Sequence, residues 1–159
     1  MKVIISHDVD HLYASEHIFK DLFIEKLWIR SVMHFLKSKI SIKTMLYRLG
    51  MPLVHNRMNR IDELMAFDKQ HNISATYFFG MRNGLGLSYS QKSVHDWIKK
   101  VYENGFDVGV HGIDYSDYEK MQREHDDFEK MLDVCSFGIR NHYVRYDDDT
   151  FQKMSRIYI

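Results

Sequence analysis

Asp8 and Asp10, in the run Ser6-His7-Asp8-Val9-Asp10-His11, carry the strongest chemical signal in the chain. They follow Val3-Ile4-Ile5, which reads as a buried strand. Side chains at i and i+2 leave the same face of a strand, so the two carboxylates converge if the strand runs that far. Carboxylates that close repel unless a cation or a shared proton lies between them. The chemistry is therefore a metal site or an acid–base pair at the C-terminal end of a strand. Two later apolar segments end the same way. Residues 106–110 exit into His111-Gly112, and residues 137–139 exit into Arg140-Asn141-His142. Asp and imidazole together suit Zn²⁺ or a similar divalent ion. Each residue also has an ordinary reading: Asp as a turn former, His as a hydrogen-bonded loop residue, Arg140 as a partner for nearby acids.

The elements that must position these residues follow from periodicity. Residues 2–6 read as a first strand, residues 73–79 as a second, 106–110 as a third and 137–139 as a short fourth. Between them, residues 15–38 carry apolar side chains at helical spacing, from Ile18 to Leu36. Ser41 is placed to cap a short helix that Met51-Pro52 breaks, and Asn59 to cap another with Ile61, Leu64 and Met65 facing inward. Ser90 caps the clearest helix, with Val94, Trp97, Ile98, Val101 and Tyr102 on one stripe and Gly105 as its stop. Further helices are expected around Tyr118–Leu132 and over 149–156. Asp147-Asp148-Asp149 reads as a cap of the last one. Ile157-Tyr158-Ile159 looks like the start of a strand. Strands alternating with helices predict an α/β fold with parallel strands, whose carboxyl edge is where sites sit. Three strand ends then deliver Asp8 and Asp10, His111, and Arg140 and His142 to one edge.

Composition narrows the class. The 159 residues suffice for one domain with its own core. The formal net charge of zero gives no global attraction to nucleic acid. The charge is unevenly placed. Residues 20–60 hold nine Lys/Arg against Asp21 and Glu25, whereas residues 107–150 hold twelve Asp/Glu against five Lys/Arg. Either two solvated faces result, or a basic arm meets an anionic substrate, carrier or membrane surface. Cys135 is the only cysteine and sits among apolar residues, so it reads as buried filler, with no internal disulfide. No signal peptide or transmembrane stretch is legible, and a cytoplasmic location is the expectation.

At these residues the chain resembles the polysaccharide deacetylase family, the chitooligosaccharide-deacetylase homology domain of carbohydrate esterases. Ser6-His7-Asp8-Val9-Asp10-His11 is similar to the family's first motif in its Asp-x-Asp form. Phe106-Asp107-Val108-Gly109-Val110-His111-Gly112 resembles the strand leading into the second motif. Gly138-Ile139-Arg140 is similar to the segment that supplies an arginine. The resemblance implies Asp8 as general base, Asp10 and His111 as ligands of a divalent metal, most plainly Zn²⁺, and Arg140 as the residue that orients the base. The second histidine of the second motif falls on Tyr115. His142 is taken as its replacement because it is the only imidazole near that strand end, an inference from this sequence and not from the family.

The fold that the resemblance implies is a distorted, incomplete (β/α) barrel, truncated at the C-terminus because the family's last two motifs fall beyond residue 159. On this reading residues 1–159 form a single domain with a helical insertion at about 12–58. The implied activity is a metal-dependent hydrolase that removes an N-acetyl or related acyl group from a sugar. Its substrate would be an N-acetylated sugar or a lipid- or nucleotide-linked glycan precursor. A short chain of this kind is expected to self-associate, to be weakly stable and to be impaired in turnover. Two rivals remain: a catalytically inactive fragment that binds glycan or a partner, and a structural α/β domain whose polar strand ends bind nothing.

Overall fold

The computed structural model describes residues 3–18, 20, 22–132 and 136–158; the expectation for Cys135 lies outside them. In chain order the elements are β1 (Ile5–Val9), a 3₁₀ turn (Ala14–Glu16), α1 (Phe23–Leu36), α2 (Ile42–Val54), α3 (Ile61–Gln70), β2 (Ala75–Phe79), α4 (Gln91–Glu103), β3 (Asp107–Gly112), α5 (Tyr118–Leu132), β4 (Gly138–Asn141), a second 3₁₀ turn (His142–Val144) and α6 (Thr150–Ile157). The fold is α/β, with a four-stranded parallel sheet. The chain divides into two compact units, Met1–Asp10 with Arg60–Ile159, and His11–Asn59.

In the first unit the strand order is β1-β2-β3-β4, with every neighbouring pair parallel. Each crossover therefore steps one strand in the same direction. Right-handed crossovers then place the connecting helices on one face. Register shows which residues they cover. His7 lies beside Tyr77, Tyr77 beside Val108, and Val110 beside Ile139. Tyr77, Phe79 and Val110 are fully buried there. From α3, the buried Asp68 carboxylate accepts hydrogen bonds from the Tyr77 hydroxyl and from His7 Nε2, both at 2.9 Å. His7 is thereby tied to the helix-covered face. Met121 and Phe128 of α5 and Val94, Ile98 and Val101 of α4 complete this core.

The opposite face carries Ser6 and Asp8, Thr76 and Phe78, Gly109 and His111, and Arg140. Asp8 and Arg140 are exposed, and Ser6, Thr76 and Phe78 are half-buried. The two central strands need close contact on this side. A Cβ on Gly109 would stand 2.6 Å from the Gly138 carbonyl oxygen and 2.7 Å from the Phe78 ring. The carbonyl is backbone and cannot swing away. Gly109→Ala is expected to cost about 1–3 kcal/mol, as overpacking does. Gly138→Ala, whose Cβ meets only Phe78 at 3.8 Å, should be near neutral. Thermal unfolding of the two variants checks this, and equal melting temperatures would contradict it.

Several sequence expectations are corrected. The first strand begins at Ile5, where pairing with Ala75 begins, and Val3 and Ile4 are 62% and 79% exposed rather than buried. The helix expected over 15–38 starts only at Phe23, because Leu22 takes a left-handed conformation (φ 58°). The second helix runs past Pro52 to Val54. Pro52 forfeits the single N–H bond to the carbonyl four residues back, and the helix ends two residues later. Arg60, not Asn59, precedes α3, since Asn59 donates its side-chain amide to the Leu12 carbonyl. Leu64 and Tyr102 are exposed. Ile157 ends α6 and Tyr158 caps it, so a strand does not start there. Ser41 and Ser90 do cap their helices, accepting from Thr44 N and Ser93 N, and Gly105 has the positive φ of a helix stop.

In the second unit the chain enters and leaves side by side. Met58 N donates to Leu12 O at 2.9 Å, Ala14 N donates to Asn56 O at 2.6 Å, and Tyr13 bridges to Arg57. α1 and α2 pack against each other.

Candidate metal centre

Asp10 sits one residue past β1, His111 at the end of β3 and His142 directly after β4. The parallel register brings these ends together. His111 Nε2 lies 2.7 Å from His142 Nδ1, and Asp10 Oδ1 lies 3.4 Å and 3.7 Å from those two nitrogens. Both imidazoles are buried, with the rings edge to face.

The other nitrogen of each ring fixes its tautomer. His111 Nδ1 lies 3.1 Å from the Arg140 carbonyl, and His142 Nε2 lies 3.2 Å from the Leu85 carbonyl. A carbonyl only accepts, so both of these nitrogens carry the proton and donate. His111 Nε2 and His142 Nδ1 then present lone pairs to each other and to a carboxylate. Such a set is held together by a positive charge, either a shared proton or a cation. Metal-ligating histidines characteristically donate their second N–H to a carbonyl or carboxylate, as both do here.

The donor set fits a divalent ion. Tetrahedral ligands at ~2.0–2.1 Å from zinc stand roughly 3.3 Å apart. The two distances to Asp10 are close to that, and the imidazole pair must open by about half an ångström.

The sequence missed what positions His142. Gly84 and Leu87 exchange backbone hydrogen bonds at 3.0 and 2.9 Å around Leu85 and Gly86. Both central residues have positive φ, as a type I′ turn requires. This turn delivers the Leu85 carbonyl to His142 Nε2 and to the Tyr143 hydroxyl. On the other side, Tyr143 and Val144 both have positive φ. For a β-branched valine that is a strained conformation, costing about 1–3 kcal/mol. Strain of this size persists only where surroundings enforce it.

Asp8 stands on the same face as the three donors. Its Oδ1 accepts from Arg140 Nη1 at 3.1 Å, and the same Nη1 donates to Ser6 Oγ at 2.8 Å. The guanidinium also lies 5.7 Å from the Phe78 ring centre. Ser6 thus shares the Arg140 donor with Asp8, and only its i−2 relation to Asp8 could have pointed to it in the sequence. Tyr115 engages Arg145. Its hydroxyl accepts from Arg145 Nη2 at 3.3 Å, and the guanidinium lies 4.4 Å from its ring centre. His11 pairs with His17 in the other unit. His125 stacks on Phe137 at 4.9 Å. Asp147 accepts from Thr150 Oγ1 at 2.7 Å and holds the start of α6; that bond keeps its carboxyl below the usual range.

Glu124 is a buried acid beneath the edge of this site. It is fully buried on α5, and its Oε1 accepts from Ile113 N at 3.2 Å. Glu124 Oε2, Asn141 Oδ1 and the Tyr158 hydroxyl are buried with no hydrogen-bond partner among the described residues. Burial, together with the neighbouring Asp114 charge, pushes the Glu124 carboxyl up from 4.5 to about 7. Burial raises the Tyr158 hydroxyl as well, with the Glu124 charge adding to it. Because the folded-state value lies above the unfolded one, Glu124 favours the fold fully below pH 4.5. That contribution is lost as pH rises toward about 7. The swing is about 3 kcal/mol. Melting temperature should fall between pH 5 and pH 7.5, and Glu124→Gln should flatten that slope. An unchanged slope would assign it to other groups.

Comparison of the chain with protein-family models, with curated proteins and with solved structures finds no match.

Proposed function

We propose that the chain is a metal-dependent hydrolase that removes an N-acetyl or related acyl group from a sugar. The observation that carries this reading is the convergence of Asp10, His111 and His142, with an Arg-held carboxylate, Asp8, on the same sheet face. A singly wound parallel sheet with its charged face turned away from α3, α4 and α5 is also what an incomplete (β/α) barrel presents. Asp10, His111 and His142 would hold the divalent ion, with Zn²⁺ the best match to an Asp/His donor set. When bound, such an ion supplies Lewis acidity toward water and an acyl oxygen.

The chain's own groups then have defined tasks. Asp8 accepts a proton from water as the water oxygen attacks the acyl carbon. When the C–N bond breaks, that proton is returned to the leaving amine, so acetate and a free amino sugar result. Arg140 holds the Asp8 carboxylate in place, and Ser6 fixes the guanidinium. Next to Arg140 lies a cleft of about 360 Å³ lined by Phe78, Ile139, Tyr146 and Phe151. Its apolar walls and two arginines, Arg140 and Arg145, suit a sugar ring carrying an anionic carrier group. The same cleft supports the second reading, a glycan-binding domain without turnover.

The test is acetate release from N-acetylglucosamine oligomers by the zinc-loaded chain, with and without a chelator. Release that the chelator abolishes supports the hydrolase. Retained zinc and glycan binding without acetate release would leave the binding domain as the correct reading.

A further inference from the structure

The α1–α2 hairpin presents an outward surface that the proposed chemistry does not use. At 100° per residue, the outward arc of α1 runs through Val32, Leu36, Ile29 and Met33, then through Lys26, Lys37 and Arg30. All seven are exposed, Ile29 by 63% and Leu36 by 74%. The inward arc holds the buried Ile24 and Ser31. On α2 the outward arc carries Ile42, Leu46, Tyr47 and Val54, with Tyr47 65% and Val54 75% exposed, and Lys43 among them. A shallow groove of about 370 Å³ is lined by Ile29 and Met33 between Lys26, Arg30, Lys37 and Lys39. Water-facing apolar residues on this scale mark a contact surface.

We propose that this hairpin docks on the surface of an anionic lipid bilayer. The charge selects the occupant. Residues 23–54 carry six Lys/Arg and a single acid, Glu25. A basic surface of this kind fits a negatively charged one. The apolar residues then separate lipid from nucleic acid. Phosphate contacts alone would leave Ile29, Leu36, Leu46 and Val54 in water. A bilayer takes them into its acyl boundary, while Lys26, Arg30 and Lys37 reach back to the headgroup phosphates with their long stems. Tyr47 has the amphipathic ring that sits at that boundary. The hairpin lies on the surface and does not span it: among the described residues no helix is long and apolar enough to cross a membrane. The proposal is independent of the hydrolase reading, because its residues belong to the second unit, and Asp10, His111 and His142 to the first.

The experiment is co-sedimentation of the full chain with two sets of vesicles, phosphatidylcholine alone and phosphatidylcholine mixed with phosphatidylglycerol. Binding is expected to the mixed vesicles, more than tenfold weaker to the neutral ones, and weakened by salt. Lys26→Ala with Arg30→Ala should reduce affinity by about fivefold per cation removed. Ile29→Glu with Leu36→Glu should abolish binding. These positions are exposed, so helical content and melting temperature should stay at wild-type values, which circular dichroism checks. Equal binding to both vesicle types, or binding insensitive to both variant pairs, would overturn the proposal. So would absence of vesicle binding together with a dimer in light scattering, since a second copy would then cover the face.

Discussion

On the proposed hydrolase reading, replacing Asp8 with Asn is expected to lower deacetylation by about 10²–10⁴-fold, the usual contribution of a general base, while zinc content should stay at the wild-type level. The two readouts separate because of geometry. Asp8 is bonded to Arg140, and the donors that face one another are Asp10, His111 and His142. Asparagine keeps the size of the side chain and can still accept from Arg140, but it cannot take a proton from water. A variant with a near-normal rate would place the base elsewhere. His7 is a poor substitute, because it is committed to Asp68 on the helix-covered face.

On the same reading, Asp10→Ala and His111→Ala are each expected to abolish metal retention. Loss of an outer-shell partner costs about 10–100-fold in metal affinity, and loss of a ligand should exceed that. Excess Zn²⁺ at about a hundred times its dissociation constant stabilises the folded chain by ~2.7 kcal/mol. For a chain of this size that raises the melting temperature by about 5–10 °C. Wild type should show this rise, and His111→Ala should not. His142→Ala should behave like His111→Ala if the two imidazoles act as one pair. Equal metal content in wild type and all three variants would show that the lone pairs at 2.7 Å share a proton and not a metal.

The chain's amino acids determined the local grammar of this site. The i, i+2 spacing of Asp8 and Asp10 pointed both toward one side of the strand end, because side-chain direction in a strand has period two, although the strand itself stops at Val9. Polar residues at the ends of apolar segments marked the carboxyl edge. Serines before helices and a glycine after one fixed their ends through backbone groups only a few residues away. Glu124 was missed, although it falls on the Met121–Phe128 stripe of α5, where an acid is out of place.

Tertiary structure decided the rest. Val3 and Ile4 are apolar yet exposed, because backbone pairing with β2 starts only at Ile5 and hydropathy does not report where a neighbour begins. Leu22 breaks a helix without glycine or proline to announce it. His142 gains its meaning from His111, 31 residues earlier, and from the Leu85 carbonyl, 57 residues earlier. A sequence states which groups exist and how they repeat along the chain. The distance between lone pairs on different strands follows only from register, and register is set by hydrogen bonds that the whole sheet forms at once.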